Sequence, residues 1–356
     1  MKIAAALSGG IDSSIAALLL LREGHRLEGM TMSVYREGVL ETETGGNACY
    51  GADETEDIAA AAEFCKQIGI EYRVFDCAKQ YEKVVLDYFK EEYLKGRTPN
   101  PCVRCNQLVK LGVLPQAAKQ SGMVYDKIAT GHYARIEQDS ETGRYYLKRA
   151  VDEKKDQSYF LYRLSQNQLS QLIFPLGGLS KAEVFKIAGE YGFETENYDE
   201  SQDFIAGDYK ELFRDQISTG DIVDTDGKVL GSHHGLWNYT IGQRRGLGVT
   251  AATPLYVISL DGENNRVVVG PSDLLSGNDF TVSDTSWMKL TPEDRSFEAN
   301  VKIRSAQKSV PAEVRAVEGG RKLMVRTLSA VNAVTPGQSA VFYDQDGAVL
   351  CGGIID

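Results

Sequence analysis

The segment Leu7-Ser8-Gly9-Gly10-Ile11-Asp12-Ser13-Ser14 constrains the fold more than any other stretch of the 356 residues. It joins a short apolar run, Lys2–Leu7, to a helical pattern that starts at Ser13 and stops near Glu23, where Gly24 supplies a C-terminal cap. Strand, glycine turn and helix in that order open a parallel α/β sheet. The following residues keep the alternation. Leu27–Val34, Glu71–Phe75 and Lys127–Thr130 read as strands, and Thr55–Ile68, Ser158–Leu172 and Lys181–Tyr191 as helices. Ala134–Lys148 reads as a hairpin that turns within Asp139–Gly143.

After about Gly207 the texture changes to short apolar runs and Asp-Gly pairs: Asp226-Gly227, Asp261-Gly262 and Asp346-Gly347. From about Asp273 onward, alternation over Val301–Ile303, Ala312–Val317, Lys322–Thr327 and Ala340–Tyr343 predicts a small closed β-barrel. The expected organisation is an α/β parallel-sheet domain over 1–205, a small central domain over 206–272 and a β-barrel over 273–356. Apolar residues at 42% and charged residues at 25% exclude disorder. The longest apolar stretch, Ile15–Leu21, is far short of the ~18 residues of a membrane span. No signal-peptide pattern opens the chain. Six cysteines are too few for a disulfide scaffold, which predicts reduced thiols in the cytoplasm and no membrane partner. A net charge of −11 argues against broad non-specific binding to nucleic acid and against DNA as a partner, while leaving room for a local basic groove.

Two glycines let the loop curl so that backbone N–H groups point inward. The hydroxyls of Ser8, Ser13 and Ser14 and the positive end of the helix dipole complete an anion cradle. The loop lacks the Gly-Lys-Ser/Thr ending of a Walker loop and the Gly-x-Gly-x-x-Gly of a dinucleotide site. An aspartate in such a cradle repels phosphate unless a cation intervenes, so Asp12 suggests Mg²⁺; the alternative is Asp12 as a plain helix N-cap. The motif resembles the PP-loop of the N-type ATP pyrophosphatases, which split ATP into AMP and pyrophosphate. That resemblance implies an ATP site over Ala6, Leu7, Ser8, Gly9, Gly10, Ile11, Asp12 and Ser13, with Met32 near adenine and Gly131 of Thr130-Gly131-His132-Tyr133 as a further nucleotide contact.

Thr98-Pro99-Asn100-Pro101-Cys102-Val103-Arg104-Cys105-Asn106 is the second informative stretch. Two thiols three residues apart at an expected helix start, among Lys95, Arg97, Arg104 and Lys110, predict a dipole-lowered thiol pKa and a thiolate nucleophile meeting a phosphorylated substrate. A zinc knuckle needs a second Cys-x-x-Cys, and the chain has none. His233-His234 reads as a surface pair.

With Lys155-Asp156-Gln157-Ser158-Tyr159-Phe160-Leu161 and Tyr239-Thr240-Ile241-Gly242-Gln243-Arg244-Arg245-Gly246-Leu247-Gly248, these motifs resemble the tRNA-specific 2-thiouridylases over essentially the whole chain. The resemblance implies a PP-loop domain, a central domain and a C-terminal barrel. It implies adenylation of the C2 oxygen of a wobble uridine in the tRNA anticodon stem-loop, sulfur delivery by a cysteine persulfide, and a sulfur-donor protein or sulfide as a further partner. Residue by residue, it makes Cys105 the nucleophile and Asn100, Pro101 and Cys102 the segment that meets the target base. Lys155, Asp156, Gln157, His132, Arg304, Ser305 and Gln338 become tRNA contacts, with Ser305 standing where the family usually has Tyr. Without the resemblance, Lys154 and Lys155 read equally as a solvated charge pair.

One departure bears on mechanism. Many members carry a second catalytic cysteine in a stretch like Glu-Ser-Gln-Glu-Ile-Cys-Phe-Ile; here Glu200-Ser201-Gln202-Asp203-Phe204-Ile205 is shorter and holds no cysteine. Two replacements are open. Cys102, where many members have Asp, can resolve the Cys105 persulfide as a disulfide. Alternatively Cys49, Cys102 and Cys105 hold a four-iron–four-sulfur cluster. Cys65 and Cys77 read as packing residues, and Cys351 as inert within the barrel.

Overall fold

In a computed structural model, the described residues are 1–38, 48–194, 204–214, 216 and 218–356. They divide into two compact units: Met1–Val85 with Cys102–Tyr209 and Asp346–Val349, and Leu86–Pro101 with Lys210–Gln345 and Leu350–Asp356.

The first unit opens with β1 (Lys2–Ala6), α1 (Ile11–Arg22), β2 (Arg26–Ser33), α2 (Glu54–Gln67) and β3 (Glu71–Asp76). β4 (Lys127–Ala129), the hairpin β5 (Ala134–Gln138) and β6 (Tyr145–Arg149), and β7 (Leu172–Ile173) follow. Five strands form one parallel sheet in the order β3-β2-β1-β4-β7. Ala5, Leu7, Ile15, Ala16 and Leu18 bury one face of α1 against it, with Leu176 and Val184 in the same core. β1 sits between its chain neighbour β2 and the distant β4, so the connections leaving the ends of β1 and β4 diverge. In open parallel sheets ligands bind in the crevice at that point. The loops after β1 and β4 are Leu7–Gly10 and Thr130–Tyr133.

Ser158–Leu172, expected as one helix, is broken. Helices span Ser158–Leu161 and Gln166–Gln171, and Leu172 already belongs to β7. The break is a capping box: Gln168 N–H donates to Ser165 Oγ at 3.2 Å and Ser165 N–H to Gln168 Oε1 at 3.0 Å. The chain from Pro101 runs as an α-turn to Arg104, as a π-helix over Cys105–Val113, and as α-helix over Leu114–Gln120. Such a long π-helical stretch is unusual, and π geometry gathers at functional sites.

In the second unit β8 (Gly220–Val223), β9 (Val229–His233), β10 (Tyr256–Asp261) and β11 (Arg266–Gly270) form a four-stranded sheet. Then β12 (Ser276–Trp287), β13 (Arg295–Lys302), β14 (Val310–Val317), β15 (Lys322–Asn332), β16 (Ser339–Tyr343) and β17 (Val349–Ile355) close a barrel in the order β12-β15-β14-β13-β16-β17. Its core holds Val282, Val301, Val314, Val325, Phe342 and Cys351. Residues 86–101 group with this unit instead of the sheet that precedes them. Phe89 and Tyr93 meet Phe213, which stacks on Trp237 at 4.7 Å between ring centres. His233, expected on the surface, is buried: its Nε2 lies 3.1 Å from the Asn265 carbonyl and its Nδ1 accepts from Gly235 N–H. His234 is exposed. No helix among the described residues is long and apolar enough to cross a membrane.

Candidate active site

The loop after β1 turns on its two glycines. Gly9 takes φ +79°, a conformation that L side chains rarely adopt, and a Cβ there would lie 2.6 Å from the Asp57 carbonyl oxygen. Gly10 is the N-cap of α1 and carries no side-chain cap, so Asp12 is not the capping residue. The serines brace the curve: Ser8 N–H donates to Ser13 Oγ at 3.2 Å, and Ser13 Oγ and Ser14 Oγ donate to the Gly10 carbonyl at 3.0 and 3.1 Å. Leu7 N–H donates to the Met30 carbonyl, and Thr31 Oγ1 donates to that of Leu7. Ala6 ends β1, Ile11 is buried at the start of α1, and Met32 is half-buried near the end of β2.

Asp12 is half-buried and doubly partnered. Lys181 Nζ donates to both of its carboxylate oxygens at 2.8 Å, and Tyr133 Oη donates to Oδ1 at 2.7 Å. The cation facing the loop carboxylate is therefore an ammonium of the chain itself. Gly131 packs on the same backbone: a Cβ there would lie 2.7 Å from Ser13 N and 2.8 Å from Asp12 C. Gln157 fixes Tyr133 from both sides, its N–H donating to the Tyr133 carbonyl at 2.8 Å and its Oε1 accepting from Tyr133 N–H at 2.9 Å. Asp156 accepts from the backbone of Ala150 and Ser158 and from Ser158 Oγ. Of Lys155, Asp156 and Gln157, all expected to touch tRNA, Gln157 braces Tyr133 and Asp156 braces the segments at Ala150 and Ser158, while Lys155 is half-buried beside them.

The thiol end differs from its expectation. The helix starts at Pro101, so Cys102 lies in the first turn and is half-buried, while Cys105 lies a turn further in and is buried. Burial, not the dipole, dominates, and it pushes the Cys105 thiol up to about 12 against a smaller opposing pull from Lys110. The thiol is therefore protonated at neutral pH. Cys49 and Cys102 both act on Cys105, and burial works against the Lys110 ammonium while Cys49, Cys105 and Cys102 outweigh it and hold its pKa above the ordinary value. Cys49 is exposed; residues 45–47 ahead of it lie outside the described residues, as do Glu200–Asp203, where the family's second cysteine would stand. Among the described residues no group of three or more His, Cys, Asp or Glu is arranged to hold a metal ion, although Cys49 and Cys102 both lie within electrostatic reach of Cys105. Cys65 and Cys77 are buried, each thiol pushed up to about 11 by desolvation, and Cys351 is buried in the barrel.

His132, expected to contact tRNA, is 9% exposed. Its Nδ1 lies 2.7 Å from Thr130 Oγ1 and its Nε2 3.2 Å from Asn106 Oδ1. Burial and then Lys110 push its pKa down to about 3, so the ring is neutral, with Nε2–H donating to Asn106 and Nδ1 accepting from Thr130. Asn106 directly follows Cys105. This bond ties the thiol helix to the loop after β4, and Gly131 of that loop lies against Asp12 and Ser13.

In the second unit Gln338 Nε2 donates to the carbonyls of Thr98 and Pro99 at 3.0 and 3.2 Å, and Thr98 N–H donates to the Pro336 carbonyl at 2.8 Å. Gln338 thereby clamps the backbone just ahead of the half-buried Asn100 and the buried Pro101. Arg304 reaches the Ala333 carbonyl at 3.1 Å and Thr335 Oγ1 at 2.6 Å; Ser305 is exposed. Lys95 and Arg97, expected to make the thiol neighbourhood basic, both pair with Glu92, at 3.2 and 2.8 Å.

Comparison with known proteins adds to this geometry. Residues 1–206 match the family model described as tRNA methyl transferase HUP domain, 210–271 the tRNA methyl transferase PRC-barrel domain, and 278–355 the aminomethyltransferase beta-barrel domain. The chain is 44% identical to the tRNA-specific 2-thiouridylase MnmA of Endomicrobium trichonymphae, over 100% of this chain and 99% of that one. It is 42% identical to the proteins of the same name from Nostoc punctiforme, over 100% and 99%, and from Geotalea uraniireducens, over 100% and 95%.

Proposed function

Because the chain belongs to the tRNA-specific 2-thiouridylase family, we propose that it thiolates C2 of the wobble uridine in the anticodon stem-loop of tRNA, using ATP. The observation that carries this reading is the unbroken run of contacts from Asp12 and Ser13, through Gly131 and His132, to Asn106 beside Cys105. It supports one site that holds an activated nucleotide near a sulfur nucleophile.

The uridine C2 oxygen attacks the α-phosphorus of ATP and pyrophosphate leaves. The amides after β1 and the start of α1 receive the departing phosphates, with Ser8 and Ser13 bracing the curve. Asp12 is the carboxylate that would share Mg²⁺ with those phosphates, a role needing only one or two protein carboxylates, and the ion would neutralise phosphate charge. The terminal sulfur of a persulfide on Cys105 attacks C2, the C2–O bond breaks, and AMP leaves with the electron pair. Cys102 then attacks Cys105 Sγ; the sulfur–sulfur bond to the substrate breaks, its electrons pass to the sulfur on C2, and Cys102 and Cys105 are left as a disulfide for an external dithiol to reduce. We favour this dithiol route because Cys102 stands three residues ahead of Cys105 in the helix that opens at Pro101 and acts on it electrostatically. The outer sulfur of the persulfide comes from a sulfur-donor protein that hands over sulfane sulfur, or from sulfide attacking Cys105 of the Cys102–Cys105 disulfide, which leaves the persulfide on Cys105 and returns Cys102 as a thiol. The setting is the cytoplasm, where thiols stay reduced.

Mass spectrometry of tRNA from cells lacking the protein tests the reading. 2-Thiouridine is expected to vanish, to return with the wild-type chain, and to stay absent with Cys105→Ser, whose tRNA-dependent pyrophosphate release persists. Unchanged 2-thiouridine in the deletion strain overturns it.

A further inference from the structure

We propose that Lys181 is a phosphate-positioning residue of the ATP site, held ready by Asp12 and transferred from that carboxylate to the phosphates when the nucleotide enters. The inference deepens the reading above and rests on it.

The geometry is specific. Lys181 is 8% exposed, yet its ammonium lies 2.8 Å from both oxygens of a carboxylate in the first turn of α1, where the helix N-terminus faces the cradle. The backbone that carries it is fixed. Lys181 N–H donates to Asp152 Oδ2 at 3.0 Å, and the first turn of its helix is closed by the reciprocal bonds of Ser180 and Glu183. The ammonium lies 4.7 Å from the centre of the Phe185 ring and 5.8 Å from that of Tyr133, whose hydroxyl donates to the same carboxylate.

Charge balance supplies the reason. A lone carboxylate beside the cradle opposes an incoming polyphosphate. An ammonium paired with it cancels that repulsion and can follow the incoming polyphosphate, which carries several negative charges against the single charge of the carboxylate. The competing role is simple neutralisation, in which Lys181 matters only because Asp12 is charged. The two roles part company once Asp12 is made neutral.

The test is equilibrium binding of a non-hydrolysable ATP analogue, without tRNA and with EDTA, to the wild-type chain, Asp12→Asn and the double variant Asp12→Asn with Lys181→Ala. Direct phosphate contact predicts that the double variant binds about tenfold or more weaker than Asp12→Asn. Equal affinity of the two overturns the inference. Failure of the wild-type chain to bind the analogue defeats the ATP reading itself, a separate outcome. Melting curves without nucleotide check folding. If the alanine variant unfolds, Lys181→Met keeps the buried stem and carries the same comparison, and Lys181→Arg must restore most of the affinity.

Discussion

The phosphate loop and the thiol helix belong to one unit and are joined through His132, but they stand at different stages of readiness. The loop is set: Gly9 holds its positive φ, three serines brace the curve, and Asp12 has ammonium and phenol partners. The nucleophile is stored. Cys105 is buried, its thiol pushed up to about 12, and the cation that acts on it, Lys110, is drawn to two further thiols as well. An anion cradle works with backbone dipoles that need no proton transfer, so it can be finished in advance. A thiolate invites oxidation and costs solvation when buried, so keeping Cys105 protonated until substrate and sulfur arrive guards it.

The largest effect expected from this contrast is in alkylation. At pH 7.5 the thiolate fraction of Cys105 falls more than ~10³-fold below that of an ordinary thiol; the greater nucleophilicity of a more basic thiolate recovers about half of the exponent, and poor access takes some back. Iodoacetamide is expected to modify Cys105 at least ~100-fold more slowly than the exposed Cys49, with a rate that climbs without a plateau from pH 7 to 10. Peptide mass spectrometry at timed intervals reads both. Comparable rates would mean that the sulfur end is as prepared as the loop.

The loop's readiness can be broken separately. Gly9→Ala forces a side chain into φ +79° and against the backbone of Asp57. Strain of ~1–3 kcal/mol, taken up by moving the loop, is expected to weaken binding of an ATP analogue about thirtyfold while leaving Cys105 alkylation unchanged. Titration calorimetry beside the alkylation assay checks it. If both responses change, the two ends are one cooperative structure and the contrast fails.

How much of this was legible beforehand follows the same divide. The strand–glycine–helix opening is local, and the sheet, the loop and the barrel strands could be read from apolar spacing and turn residues. The pairing of Asp12 with Lys181 spans 169 residues; Ser180 and Glu183 announce a helix start there, but nothing nearby in the chain says what the lysine faces. The sequence points to a lowered thiol pKa because the helix dipole is visible in it and desolvation, which raises the Cys105 value, is not. For Asp156, Gln157 and Gln338 the resemblance points to tRNA, and periodicity does not record the intramolecular bonds these side chains make: Asp156 to Ala150 and Ser158, Gln157 to Tyr133, and Gln338 to Thr98 and Pro99. The grouping of 86–101 with the later residues depends on Phe89, Tyr93 and Gln338 finding distant partners, which periodicity does not record.

His132 offers the finest probe of how closed the junction between the two ends is. Its folded-state pKa, about 3, lies below the ordinary 6.5 of an unfolded chain. Between those values the unfolded state binds the extra proton, so stability rises with pH. The contribution is fully present above about 6.5 and is lost as pH falls toward 3, at about 1.4 kcal/mol per pH unit. Urea unfolding at half-unit steps from pH 7 to 4 is expected to show that slope in the wild-type chain and a limb flatter by one proton in His132→Gln, which keeps polar atoms facing Asn106 and Thr130. Equal slopes would mean that the imidazole takes up its proton in the folded state. The junction would then admit water, and the shelter that keeps Cys105 protonated would be open too.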